Sequence, residues 1–185
     1  MSEFFDHITL DHAAFIARQP VFFVATAAAD ARINLSPKGM DSFRVLNGGR
    51  ACAYLDFGGS GNETHAHLAA DGRITIMFCA FDQPALIYRI YGSGRAVLPQ
   101  DAGWADLAAH FTIERGVRQI FLIDVDSTQT SCGWAVPKMA LVEERQTLRK
   151  YFVQDDPVQR LAKYRERVRS IDGLPTTPPA VLPYS

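Results

Sequence analysis

Hydrophobic and polar positions along this chain change period repeatedly, and each change marks an element. Leu10, Ala13, Ala14 and Ala17 fall on one helical face with Thr9 as N-cap, predicting a short helix over 10–18 that Pro20 stops. Val21 to Ala27 is a β-branched and aromatic run. A short polar connection leads to Arg32 to Ser36, where Ile33 and Leu35 alternate with polar residues, so the two runs read as a β-hairpin. A third strand is predicted from Arg50 to Phe57, after the Asn47-Gly48-Gly49 turn.

Gly58-Gly59-Ser60-Gly61 then leads into a short helix over Asn62 to Ala70, with Asn62 as N-cap and Glu63 in the first turn. Arg73 to Phe81 is apolar on both faces except at Thr75, the pattern of a fully buried central strand. Ala85 to Leu98 is a long strand that Gly92 and Gly94 allow to bend or bulge. Asp101 to His110 has helical character, and Arg118 to Asp126 is a strand with Gln119, Phe121, Ile123 and Val125 on one face. Two helices follow, Glu144 to Phe152 and Pro157 to Arg169. Asp156 caps the second, and Val158, Leu161, Ala162, Arg165 and Val168 form its packing side. The remaining stretch from Ile171 is Pro-rich and extended.

Antiparallel-compatible strands interrupted by helices favour a mainly β fold, a small barrel with peripheral helices, over a doubly wound sheet. No G-x-G-x-x-G joins a strand to a helix, which argues against a Rossmann dinucleotide site. At 185 residues the chain suits one domain, 1–185, with 144–185 packed on it as C-terminal helices and tail.

Composition narrows the function. A net charge of −1 gives no support to a nucleic-acid or membrane-surface role that depends on positive charge. No apolar run has the length of a membrane span and the first residues lack a signal pattern, so the expected location is cytoplasmic. Cys52, Cys79 and Cys132 are isolated and odd in number, against both a disulfide framework and a thiolate metal site. His65 and His67 are spaced i, i+2 on one helix and diverge, so no metal site is expected from them. Trp104 and Trp134 read as core or interface anchors. The basic residues between Arg160 and Arg169 read as a solvated helix face.

Three segments carry candidate chemistry: Ser36-Pro37-Lys38-Gly39, Asp41 to Leu46, and Gly61 to Leu68. They lie at strand ends or a helix start, where backbone N–H groups can meet an anion. Lys38 and Arg44 would supply charge, and Ser36, Ser42, Asn62 and Thr64 neutral donors, for a phosphorylated ligand. Val45 and Leu46 could offer backbone groups to a planar heterocycle. The bland alternative is a surface salt bridge beside a helix cap.

The ordered set V-F-F-V-A-T-A, N-L-S-P-K-G, F-R-V-L, A-Y-L-D-F, G-N-E-T and R-I-T-I-M-F-C-A-F resembles the FMN-binding split-barrel family of pyridoxamine 5′-phosphate oxidase relatives. Q-T-S-C-G-W-A-V-P and S-I-D-G-L-P extend the resemblance toward an uncharacterised branch. It implies a six-stranded antiparallel Greek-key split barrel, FMN as cofactor, and a homodimer whose subunits share each site. It places Arg44 on the phosphate, Val45 and Leu46 beside the flavin ring, and Tyr54 and Asp56 on the next strand toward it. Asn62, Glu63 and Thr64 occupy the family's phosphate clamp, but Glu63 and Thr64 stand where cations are expected. Vitamin B6 oxidation is therefore not implied. The implied activity is an FMN-dependent oxidoreductase acting on an unidentified small molecule. The alternatives are a non-catalytic flavin carrier or sensor, and a binder of another flavin-like cofactor such as a deazaflavin.

Overall fold

The computed structural model describes residues 2–184. Alternation of apolar and polar positions becomes one antiparallel sheet of eight strands: β1 Glu3–Phe5, β2 Phe22–Thr26, β3 Asn34–Lys38, β4 Phe43–Leu46, β5 Ala51–Phe57, β6 Arg73–Cys79, β7 Leu86–Val97 and β8 Val117–Cys132. The order is β3-β2-β6-β7-β8-β5-β4, with β1 paired to β8. The mainly β architecture agrees with the sequence pattern. The two shortest strands, β1 and β4, take the count past six, and their three and four residues are too few for a periodic signal.

The sheet curls until its two ends meet. Phe22 on β2 and Phe43 on β4 have ring centroids 5.2 Å apart, although three strands of the ladder and β5 separate them. Tyr54 and Phe78 complete the aromatic contact, at 5.7 and 5.4 Å from Phe22. These rings, with Val24, Ile76, Ile90, Phe121 and Ile123, form the interior core. Burying each such side chain contributes roughly 1.5–3 kcal/mol. A second cluster (Ala53, Leu55, Val97, Leu107, Val117, Ile120) lies on the opposite face of β5 and β8. It is covered by α3 (Trp104–Ala108).

The predicted bend in β7 is a register shift between Tyr91 and Gly92. A Cβ on Gly92 would lie 2.3 Å from the Asp124 carbonyl oxygen, so only glycine fits this close approach. Helix α1 (Leu10–Ala17) is capped by Thr9 as expected. It buries Phe15 and Ile16, however, while Leu10 is exposed, because two large side chains outcompete a stripe of alanines for the core. Strand β6 buries Ile74, Ile76 and Phe78, but Thr75 and Met77 stay half exposed, so it is not buried on both faces.

Helix α2 (Glu63–Ala70) lies against β7, with Leu68 in the core. C-terminal to the sheet, α4 (Thr147–Gln154) buries Phe152, and α5 (Pro157–Glu166) is capped by Asp156 through the Val158 N–H. The packed side of α5 is Arg160 and Tyr164, while Val158 is exposed. The basic face thus includes one buried member: Arg160 is held by Asp155 at 2.6 Å and by the Tyr151 hydroxyl. The tail folds back through a Ser170–Leu174 turn onto α2. Among the described residues, no helix is long and apolar enough to cross a membrane.

Candidate functional site

Strand alternation decides which candidate side chains can meet. On β5, Cys52, Tyr54 and Asp56 point inward and Ala51, Ala53 and Leu55 outward. Asp56 is buried, and its Oδ2 accepts hydrogen bonds from Arg118 Nε at 3.0 Å, Arg118 Nη2 at 2.7 Å and Gln119 Nε2 at 2.8 Å. Lys38 Nζ stands 3.7 Å from Oδ1. Burial alone would raise the Asp56 carboxyl, but the charges of Arg118 and Lys38 and the donated hydrogen bonds hold it below the usual carboxylate value.

Gln119 extends this network. Its amide also donates to Asn62 Oδ1 at 2.8 Å, and its Oε1 faces His65 Nδ1 at 2.8 Å. His65 Nε2 accepts the Thr177 backbone N–H at 3.1 Å, so Nδ1 carries the proton and donates to Gln119. Burial, and then the positive charge of Arg118 against the favourable Gln119 contact, lowers the His65 pKa and keeps the ring neutral. Asn62 thus spends its oxygen on Gln119 and makes no side-chain cap to its own helix, contrary to the expected N-cap contact. Thr64 Oγ1 and Thr26 Oγ1 both accept from Asn34 Nδ2 at 3.1 Å, and Ser36 Oγ reaches Asn34 Oδ1 at 3.5 Å. The structure therefore brings Ser36, Lys38, Asp56, Asn62 and Thr64 into one region through Asn34, Arg118 and Gln119.

A cleft of about 1230 Å³ opens between the end of α1, the β3–β4 connection and the segment before α4. Phe22, Phe43 and Phe78 form its apolar floor, with Lys38, Arg18 and Arg145 supplying positive charge around it. Ser42 lines it too, its hydroxyl donating to the Gly39 carbonyl at 2.6 Å. At its lip, Met40 and Asp41 both adopt left-handed backbone, with φ of 66° and 53°. Two adjacent non-glycine residues in that region are strained, a condition often found at ligand sites.

Arg44 holds this lip. Its Nη1 and Nη2 grip the two Asp41 carboxylate oxygens at 2.8 and 3.0 Å, Nη1 reaches the Phe43 carbonyl, and Nε donates to the His110 carbonyl at 2.9 Å. Its guanidinium lies 5.2 Å over the Phe111 ring. Arg44 pairs with the outward Ala53, so it sits on the opposite side of β4 from Lys38 and Asp56. Val45 pairs with Cys52 toward the core and Leu46 packs on the outer cluster. Tyr54 is fully buried in the aromatic core, and burial beside Asp56 raises its pKa well above the phenol value.

Glu63 turns away from the anion-type donors: both its oxygens accept the Ile171 backbone N–H, at 3.1 and 3.2 Å. A carboxylate so placed receives a donor from the tail and offers nothing to a phosphate. His65 and His67 do diverge, to Gln119 and to Thr26. Cys52 and Cys79 are buried and Cys132 exposed. Arg118 and Gln119, which organise the network, were read from sequence only as strand residues. The signal the sequence offers is an Arg-Gln pair opening an otherwise apolar strand. Trp134 is exposed, on an arm with Met139, Leu141 and Val142 also exposed.

The family model described as pyridoxamine 5′-phosphate oxidase matches residues 8–132, which run from just before α1 to the end of β8. A pyridoxamine 5′-phosphate oxidase family protein of Aspergillus flavus, ustO, is 32% identical over 194 residues, covering 95% of this chain and 78% of that one. The chain belongs to the pyridoxamine 5′-phosphate oxidase family. The fold is shared with a variant of HupZ from Group A Streptococcus: TM-score 0.54, 21% identity, 67% of this chain and 99% of that one. A conserved protein of unknown function from Corynebacterium diphtheriae has TM-score 0.50 and 12% identity, over 71% of this chain and 98% of that one.

Proposed function

We propose that this chain binds FMN as a homodimer and acts as an FMN-dependent oxidoreductase on a small molecule. The cleft carries this reading. Its volume of about 1230 Å³ exceeds the roughly 300–1,000 Å³ usual for ligand pockets, leaving space for a flavin and a second molecule. Its aromatic floor suits a planar ring, and Lys38 is the cation best placed for a phosphate because its ion-pair partner among the described residues, Asp56, is already shared with Arg118. The residues fit such a group through Lys38 and the aromatic floor, whereas the Ser42 hydroxyl already donates to the Gly39 carbonyl. Arg44 fits less directly, since its donors are engaged by Asp41, Phe43 and His110.

When bound, the flavin supplies hydride chemistry, and the protein binds, orients and shields it. Phe22, Phe43 and Phe78 exclude water from one side. Arg44 positions the 40–41 lip, and the Asp56–Arg118–Gln119 network fixes the strand behind Lys38. A second subunit would cover the exposed arm that bears Trp134, Met139, Leu141 and Val142, of which Leu141 and the following Glu143, Glu144 and Arg145 line the cleft.

A non-catalytic carrier is the second reading. It draws support from His65 and Asp56, whose polar atoms are already engaged and offer no group poised for proton transfer. Titration of cofactor-free protein with FMN, followed by anaerobic NADH or NADPH, separates the readings. Saturation at one FMN per chain with reduction and reoxidation supports the enzyme; saturation without reduction favours the carrier. Preference for a deazaflavin over FMN, or no flavin binding, overturns the FMN assignment. Sedimentation equilibrium tests the dimer, and a monomer with undiminished FMN affinity excludes the shared site.

A further inference from the structure

We propose that Glu63, His67 and Asp172 form a binding site for a divalent first-row transition-metal ion that fastens the C-terminal tail to α2. One ligand atom from each of the three lies within 4.8 Å of the others. Glu63 and His67 are four residues apart on α2, the spacing that puts two side chains on one helical face. Asp172 reaches them from the turn that begins at Ser170.

The imidazole supplies the independent observation. His67 is 1% exposed. Its Nδ1 lies 3.1 Å from Thr26 Oγ1, whereas its buried Nε2 has no hydrogen-bond partner among the described residues. Buried polar nitrogens are seldom left unpaired, and one beside two carboxylates meets the requirement of a metal ligand. Thr26 Oγ1 can accept from both Asn34 Nδ2 and a protonated Nδ1, which frees the Nε2 lone pair for the ion.

Each ligand is already aimed by a partner behind it. Thr26 orients the imidazole, the Ile171 N–H orients the Glu63 carboxylate, and the Arg32 N–H, 2.9 Å from Asp172 Oδ2, orients Asp172. Such outer contacts fix ligand geometry in metal sites. The Arg32 guanidinium also pairs with Asp172, but it is mostly exposed and leaves the carboxylate further lone pairs. One imidazole and two carboxylates suit Zn²⁺, Co²⁺ or Mn²⁺, with water completing the shell. The ion would offset the negative charge at Glu63, next to Asn62 and Thr64, and hold the segment whose Thr177 N–H orients His65.

The reading is independent of flavin binding and is tested on the full-length, chelator-treated protein with Zn²⁺ as probe. Calorimetry is expected to show one ion per chain, with affinity at least about tenfold weaker in Glu63→Gln and in Asp172→Asn. Both changes preserve side-chain shape, and circular dichroism checks the fold. Hydrogen exchange over residues 170–177 should slow with Zn²⁺ in the wild type and not in Asp172→Asn. Cys132→Ser, which removes the exposed thiol, should bind as the wild type does. Absence of binding at about 100 µM Zn²⁺, wild-type affinity in both carboxamide variants, or loss of the ion in Cys132→Ser would each overturn the site.

Discussion

Arg118 and Asp56 form an ion pair inside the barrel wall, with side chains only 8% and 5% exposed and two guanidinium nitrogens at 2.7 and 3.0 Å from one carboxylate oxygen. The pair sits on adjacent strands β8 and β5, next to the Asp56–Gln119 register position. Arg118 also donates to the Gly61 carbonyl at 3.0 Å, so one side chain ties two strands to the loop before α2. Because Lys38 approaches the other Asp56 oxygen, the pair also fixes where a cation can stand beside the cleft.

Removing one partner leaves the other charged and buried, which typically costs about 3–5 kcal/mol. Asp56→Asn should therefore lower the denaturation free energy by about that amount. The sign of its pH dependence follows from the depressed carboxyl. Stability from Asp56 is fully present above the ordinary value of 3.8 and is lost as pH falls through the lower folded value. Denaturation measured from pH 6 down to about pH 3 should show a steeper loss in the wild type than in the variant. Parallel curves would remove Asp56 from the acid response.

His65 acts in a different window. Burial lowers its folded pKa below the ordinary 6.5, so the unfolded chain takes up a proton first as pH falls. Stability is present above 6.5 and declines below it, levelling once the folded ring also protonates. His12, lowered chiefly by burial, contributes with the same sign. His65→Gln should flatten the decline between pH 7 and about pH 5, read from urea midpoints; an unchanged slope would assign it to His12 or elsewhere.

Legibility in the sequence followed the range of the interaction. β7 and its glycine bulge, the β2–β3 hairpin, the Thr9 cap and the Asp156 cap all rest on neighbours within a few residues, and each was readable. Arg44 was found as a cation, but its work on Asp41 and the His110 carbonyl depends on β4 meeting the end of α3, which no local pattern encodes. The same holds for Asp172, brought to α2 from about a hundred residues away in sequence, as the Ile171–Glu63 separation of 108 shows. Asn62 misled as a cap because Gln119, 57 residues distant, competes for its oxygen.

Docking of α4 depends on Gly116. Its φ is +97°, and a Cβ there would lie 2.2 Å from Phe152 Cδ2. Gly116→Ala must push a fully buried ring aside, at a cost of about 1–3 kcal/mol for overpacking. The Arg149–Glu114 pair, about 29% exposed on each side, should contribute less, roughly 0.2–1 kcal/mol. Gly116→Ala is therefore expected to speed hydrogen exchange across Thr147–Gln154 more than Glu114→Gln does, with β6 and β7 unchanged. The reverse ranking would make the ion pair, not Phe152, the anchor of α4.

On the proposed function, Lys38 and Arg44 contribute to FMN binding in different ways, Lys38 through the phosphate and Arg44 through the 40–41 lip. Lys38 lines the cleft, and Asp56 keeps its other partners when Lys38 is lost. Lys38→Met should cost FMN about 1.5–3 kcal/mol, roughly 10- to 150-fold in affinity, the usual loss for a charge-assisted contact. Riboflavin, which lacks the phosphate, should be little affected. Arg44 is committed to Asp41, the Phe43 and His110 carbonyls and the Phe111 ring. Arg44→Ala should therefore release the strained 40–41 lip, lowering stability and weakening FMN and riboflavin by similar factors. Calorimetric titration of both variants with both ligands distinguishes the roles. Equal losses for the two ligands in Lys38→Met would move the phosphate off Lys38, and a phosphate-selective loss confined to Arg44→Ala would put it on Arg44, requiring Asp41 to let go when the ligand binds.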